Sequence, residues 1–187
     1  MYLFLIPLLF GFVSNAASAF TATYSRRWGE KRGKLVSAFL RNVTGMPLWT
    51  VGYILAFRAA LPLLFTPNPF TEISGWSLIA LGALIILWSL PGLGRRAFAP
   101  STQDTLVASG LHAYVRHPLY SGVLLEFAGL AILNPSYATV LACLLGMVWI
   151  YLQARFEELD LLQRIPAYRE YMQRVPRFIP RLRKRRA

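Results

Sequence analysis

Between residues 73 and 93 the chain carries no charged side chain. A helix that crosses the roughly 30 Å hydrocarbon core of a bilayer needs about 20 such apolar positions. Four other stretches are comparably apolar: residues 2–22, 43–65, 119–133 and 137–156. Within lipid, backbone N–H and C=O groups must be satisfied inside their own segment, so runs of this kind fold as helices. The pattern predicts an all-α, polytopic membrane protein with about five transmembrane helices. Its single domain divides into three N-terminal spans (1–100) and a C-terminal part (101–187). Asn134-Pro135-Ser136, between the last two runs, is a tight-turn signal and makes them a helical hairpin.

Basic residues fall between these runs. Arg26, Arg27, Lys31, Arg32, Lys34 and Arg41 separate the first two, opposed only by Glu30. Arg95, Arg96 and Arg116 lie between the third and fourth. Arg164, Arg169, Arg174, Arg177 and a basic run from Arg181 onward follow the fifth. The remaining long loop holds Glu72 and no base. The positive-inside rule then expects the N-terminus outside and the C-terminus in the cytoplasm. Residues 168–175, bounded by Pro166 and Pro176, are expected to lie as a short helix on the membrane surface.

Composition agrees with this reading and excludes others. Apolar residues make up 56% and charged residues 15%, against roughly 25% charged in a soluble domain. The net charge is nevertheless +12. A soluble nucleic-acid binder would carry that charge without such apolarity, and a disordered basic tail would lack the 14% aromatics. Anionic lipid headgroups, not nucleic acid, are therefore the expected partners of the basic loops. The first run lacks the basic lead of a signal peptide and is expected to stay as a span. One cysteine, Cys143, and two histidines, His112 and His117, give no plausible metal set.

The chemistry is expected at one end of the hairpin. Residues 118–133 rise about 24 Å as a helix, and the return to Glu157 covers slightly more. The segments around Arg116 and Glu157 therefore reach the same, cytosolic, membrane face. Pro118 suits the first position of a helix, whose free N–H groups favour an anion. Arg116 adds a forked donor for a carboxylate. Glu157 and Glu158 offer negative charge to a cation or acceptors to ribose hydroxyls. A ligand carrying a carboxylate, a cation and a ribose fits this cleft, and S-adenosylmethionine has all three. The same residues could equally form a surface ion-pair cluster with Arg155 and Arg164.

The stretch from Leu106 to Gly122, with its core Arg116-His117-Pro118-Leu119-Tyr120-Ser121-Gly122, resembles the cofactor motif of isoprenylcysteine carboxyl methyltransferases and related phospholipid methyltransferases. Glu157-Glu158, followed by Tyr168, Tyr171 and Arg177-Phe178-Ile179-Pro180, is similar to their C-terminal segment. The resemblance implies an integral-membrane enzyme that moves a methyl group from S-adenosylmethionine to a lipophilic acceptor reached through the bilayer. It implies cofactor contacts at Thr105, Leu106, Val107, His117, Pro118, Leu119, Tyr120 and Glu157. Asp104 and His112 depart from the family pattern, where a histidine and a tyrosine are common, and are expected to border the cofactor too. At Gln153 the family would have a substrate-binding arginine; the nearest one here is Arg155, on another helix face.

A carboxylate acceptor would need only a cation to orient it. A thiol or amine must lose a proton, with His112 or Glu158 as candidate bases. Glu126, inside a span, is expected to face the interior, bordering the acceptor path or pairing with Arg58. Replacing Glu157 or Arg116 is expected to weaken the cofactor without touching stability. Two alternatives make different predictions: an NADPH-dependent reductase resembling the sterol reductases, and a non-enzymatic binder of anionic lipid.

Overall fold

The computed structural model describes residues 2–181; the basic run beyond Arg181 lies outside them. Every regular element among the described residues is helical: α1 (Leu5–Ala17), α2 (Thr21–Trp28), α3 (Glu30–Phe39), α4 (Met46–Arg58), α5 (Pro69–Leu93), α6 (Pro118–Leu133), α7 (Tyr137–Arg164) and α8 (Tyr168–Arg174). A π-helical segment, Leu40–Gly45, joins α3 to α4. Two helices, α5 and α7, are long and apolar enough to cross a membrane. The bent pair α1–α2 makes a third if it counts as one span, and the apolar α6 is shorter at 16 residues.

The count of five spans is therefore not what the helices themselves present. The first run breaks at Phe20, whose backbone (φ −88°, ψ 47°) is non-helical, and α2 leaves α1 at 63°. Ser18 turns its hydroxyl onto the carbonyl of Asn15 at this bend (2.6 Å), a local bond that competes with helix continuation. The second run stops early. Ala59 is extended (ψ 124°), and Pro62, which has no N–H to donate, follows. Residues 61–65 instead pair with the hairpin turn, Leu64 N–H donating to Pro135 O (2.8 Å) and Tyr137 N–H to Pro62 O (3.1 Å). The third run starts cleanly, because Asn68 accepts from the amides of Phe70 and Thr71 in a capping box with Thr71. A short helix forms where one was expected, α8 at Tyr168–Arg174, with Tyr168 and Tyr171 buried against the rest of the chain.

The interior is aromatic. Phe12 of α1 stacks on Trp149 of α7 (centroids 4.6 Å apart), and Tyr53 of α4 stacks on Phe127 of α6 (5.0 Å). Outward, Phe10, Trp76, Leu84 and Trp88 are exposed, as lipid-facing residues are. The most extensive helix pair is α5 with α6. A Cβ on Gly82 would stand 2.5 Å from the Gly122 carbonyl oxygen, and one on Gly122 would stand 2.6 Å from that of Gly82. Lipid offers no hydrophobic drive between helices, so such backbone contact substitutes for it. Gly82→Leu is expected to cost about 1–3 kcal/mol through overpacking against backbone that cannot yield. Thermal unfolding in detergent reads this, and an unchanged midpoint would remove the pair from any account of stability.

Candidate functional site

The C-terminal segment folds back onto the start of α6. Arg116 N–H donates to Pro176 O (2.8 Å), His117 N–H to Arg177 O (3.0 Å), and the Ser121 hydroxyl to Phe178 O (2.7 Å). Glu158 is the anchor of this hook. It is buried and accepts from Arg116 Nε (3.1 Å) and Nη2 (2.9 Å), and from Arg177 Nε (2.8 Å) and Nη2 (2.7 Å). The His117 ring lies 3.3 Å away, with Nε2 toward the same carboxylate. The remaining Arg116 nitrogen donates to the carbonyls of Met172 (2.7 Å) and Val175 (2.9 Å). The guanidinium expected to meet a cofactor carboxylate is thus engaged on all sides by protein.

Glu157, one residue earlier on α7 and so turned by about 100°, points elsewhere. Its Oε1 accepts from Arg41 Nη2 (2.7 Å), the Tyr120 hydroxyl (2.7 Å) and Gln153 Nε2 (3.1 Å). Tyr120 also stacks on His117, their rings 5.4 Å apart and nearly parallel. Arg41 belongs to the π-helical segment, which carries its guanidinium across to α7; it also donates to the Ala97 carbonyl (2.8 Å). The sequence assigns Arg41 only an orientation role, and no local motif marks it, because its partner lies more than a hundred residues away.

These groups wall a cavity of about 430 Å³, within the usual small-ligand range of roughly 300–1,000 Å³. One strip of its lining is Asp104, Thr105, Leu106 and Val107; another is Arg116, His117, Pro118, Leu119 and Tyr120; His112 and Glu157 complete the set. The structure therefore gathers every residue expected at a cofactor into a single space. Of the residues expected at the acceptor or in catalysis, Glu126 lines the cavity and makes no ion pair with Arg58 among the described residues. Glu158, Gln153 and Arg155 do not line it. Gln153 is buried behind Glu157, and Arg155 is exposed.

Two further ion pairs hold the walls. Arg164 donates to Asp160 Oδ2 (2.6 Å) and reaches Asp104 (3.3 Å), while Asp160 Oδ1 accepts the Ala22 amide (2.7 Å). Arg96 holds the strip in place through the Thr105 carbonyl (2.9 Å) and hydroxyl (3.1 Å). The start of α6 has Pro118 in its first turn and no side-chain cap, leaving amides of that turn available to an anion. His112 is buried, and burial together with nearby His117 holds its imidazole below its usual range. It is therefore neutral at pH 7 and able to accept a proton. The Tyr171 hydroxyl, pushed up to about 12 by burial, donates to the His112 carbonyl (2.6 Å).

The model of the phospholipid methyltransferase family matches residues 70–169, more than half of the chain and most of the walls just described. The chain belongs to the phospholipid methyltransferase family. It is similar to methanethiol S-methyltransferase 2 of Bradyrhizobium diazoefficiens, 33% identical over 155 residues, covering 70% of this chain and 59% of that protein. It is also similar to the cobalt-zinc-cadmium resistance protein CzcN of Cupriavidus metallidurans, 38% identical over 80 residues, 42% of this chain and 37% of that one. The chain thus spans less than two thirds of the length of either relative. No solved structure matches it. With its apolar helices and this family, it is an integral membrane protein.

Proposed function

We propose that this protein is a membrane methyltransferase that transfers the methyl group of S-adenosylmethionine to a lipophilic acceptor. The observation that carries this reading is the cavity itself. Two strips, residues 104–107 and 116–120, expected from the motifs to contact one cofactor, line one space with an uncapped helix start on one side and Glu157, far along the chain, on another. The donor set fits the group: free amides for a carboxylate, and a carboxylate for ribose hydroxyls or an ammonium. The cofactor supplies an electrophilic methyl on sulfonium, a reaction that needs alignment more than acid or base. Tyr120, fixed by its bond to Glu157 and its stacking on His117, orients the floor of the site. The Glu158 hook closes the cytosolic side and excludes water. The match to a methanethiol S-methyltransferase supports the same chemistry.

In this reading the site and the C-terminus face the cytoplasm, the N-terminus lies outside, and the basic residues of α2 and α3 contact anionic lipid. Full-length protein in detergent, titrated with S-adenosylhomocysteine by calorimetry and with NADPH in parallel, tests the assignment. Binding of the first and not the second is expected, together with transfer of label from methyl-tritiated S-adenosylmethionine into a lipid extract. Binding of NADPH alone would favour a reductase. Binding of neither would leave an anionic-lipid binder.

A further inference from the structure

The cavity does not end at the cofactor strips. Along α6 its lining continues from Pro118 past Val123 to Glu126, about 12 Å deeper into the bilayer at 1.5 Å per residue. Here the lining includes Met46, Trp49, Ile86, Leu90, Val123 and Trp149, and it is predominantly apolar. The one ionisable group in this arm is Glu126, half-buried and without a hydrogen-bond or ion-pair partner among the described residues. Gly82 makes room for its stem: a Cβ on Gly82 would stand 2.8 Å from Glu126 Cγ. A carboxylate at this depth is costly unless it serves a function.

We propose that Glu126 is the proton acceptor for a thiol that carries an apolar tail, held in this membrane arm and methylated at its sulfur. The proposal rests on the methyltransferase reading and names its substrate class. The cations of the cavity decide against a carboxylate acceptor. Arg41, Arg116 and Arg164 are held by Glu157, Glu158 and Asp160, and Arg96 by Thr105 and Asp104. All four sit toward the cofactor strips, and none lines the arm beside Glu126. A carboxylate acceptor would meet Glu126 as a like charge with nothing to neutralise it. A phospholipid amine would bring a phosphate into the same uncompensated place. A neutral thiol meets neither penalty, enters an apolar arm readily, and must lose one proton to react. The S–H proton passes to the Glu126 carboxylate, and the sulfur forms the new S–C bond. The S–C bond of the sulfonium breaks, its electron pair staying on the sulfur of S-adenosylhomocysteine. The proton then leaves to water, and the charges balance.

The test uses the full chain in phospholipid nanodiscs, as wild type, Glu126→Gln and Glu126→Asp, with 1-decanethiol, decylamine and decanoate as acceptors. Wild type should methylate the thiol at least tenfold faster than the amine or the carboxylate. Glu126→Gln should bind S-adenosylhomocysteine within about twofold of wild type but lose 30-fold or more in kcat at pH 7. Its residual rate should climb with pH as free thiolate accumulates, a dependence absent from wild type, and Glu126→Asp should recover part of the rate. Cofactor binding retained with undiminished thiol turnover in Glu126→Gln would overturn this proposal alone. So would preference of the wild type for decanoate or decylamine, or no thiol methylation by a wild type that binds cofactor. Failure of the wild type to bind S-adenosylhomocysteine would overturn the cofactor reading and this proposal with it.

Discussion

Arg116→Ala is expected to destabilise the protein by about 3–5 kcal/mol, the cost of removing one partner from a buried ion pair. Its guanidinium is nearly excluded from solvent (8% exposed), and the Glu158 carboxylate it holds is 2% exposed. Without it, Glu158 keeps Arg177, whose side chain is 18% exposed, and the carbonyls of Met172 and Val175 lose their donor. The hook over the site should loosen and the melting point fall by roughly 10 °C for a chain of this size. Glu158→Gln should act in the same direction, because one amide cannot satisfy two guanidinium groups. Arg177→Ala should cost less. The sequence alone places Arg116 against a cofactor carboxylate with no part in stability. Burial with four hydrogen bonds to three protein acceptors assigns it the structural role instead. Melting curves of the three variants in detergent check this, and a wild-type midpoint in Arg116→Ala would contradict it.

Glu157→Gln should leave the fold largely intact and reduce S-adenosylhomocysteine affinity by about 10- to 150-fold. That range corresponds to losing one charge-assisted hydrogen bond, roughly 1.5–3 kcal/mol. The amide keeps an acceptor for Tyr120 and Arg41, so the shape of the wall survives while the negative charge facing the cavity is lost. The two neighbouring glutamates should therefore separate cleanly. Glu157 variants should fail in binding, and Glu158 variants in stability. Calorimetry with melting curves alongside decides between this pattern and a surface ion-pair cluster, for which the two positions would behave alike and ligand affinity would not move.

Much of the site was legible because its ingredients are local. Pro118 opening a helix, the Asn134-Pro135-Ser136 turn and the 100° offset between Glu157 and Glu158 are consequences of helix geometry alone, and they bring residues 104–120 and 157 to one membrane face. The ends of the first two apolar runs were not legible in the same way. Hydropathy reports whether a segment tolerates lipid, but not where a hydroxyl such as that of Ser18 competes for the helix carbonyls. Nor does it report that residues 61–65 exchange helix bonds for bonds to the turn at Pro135.

Sequence by itself determined the all-helical membrane architecture and the hairpin, since each follows from short-range periodicity, turn chemistry or charge between apolar runs; the strip of residues that lines the cavity was legible only through the resemblance of its motif to a known family. Only the tertiary structure decided which charges face one another. Arg41 meets Glu157, Arg116 and Arg177 share Glu158, Arg164 joins Asp160 to Asp104, and Glu126 is left without a partner among the described residues in the apolar arm. Ion pairs form between groups that packing brings within 4 Å, whatever their distance along the chain. Packing here is set by close backbone contacts such as Gly82 on Gly122, which sequence spacing does not reveal.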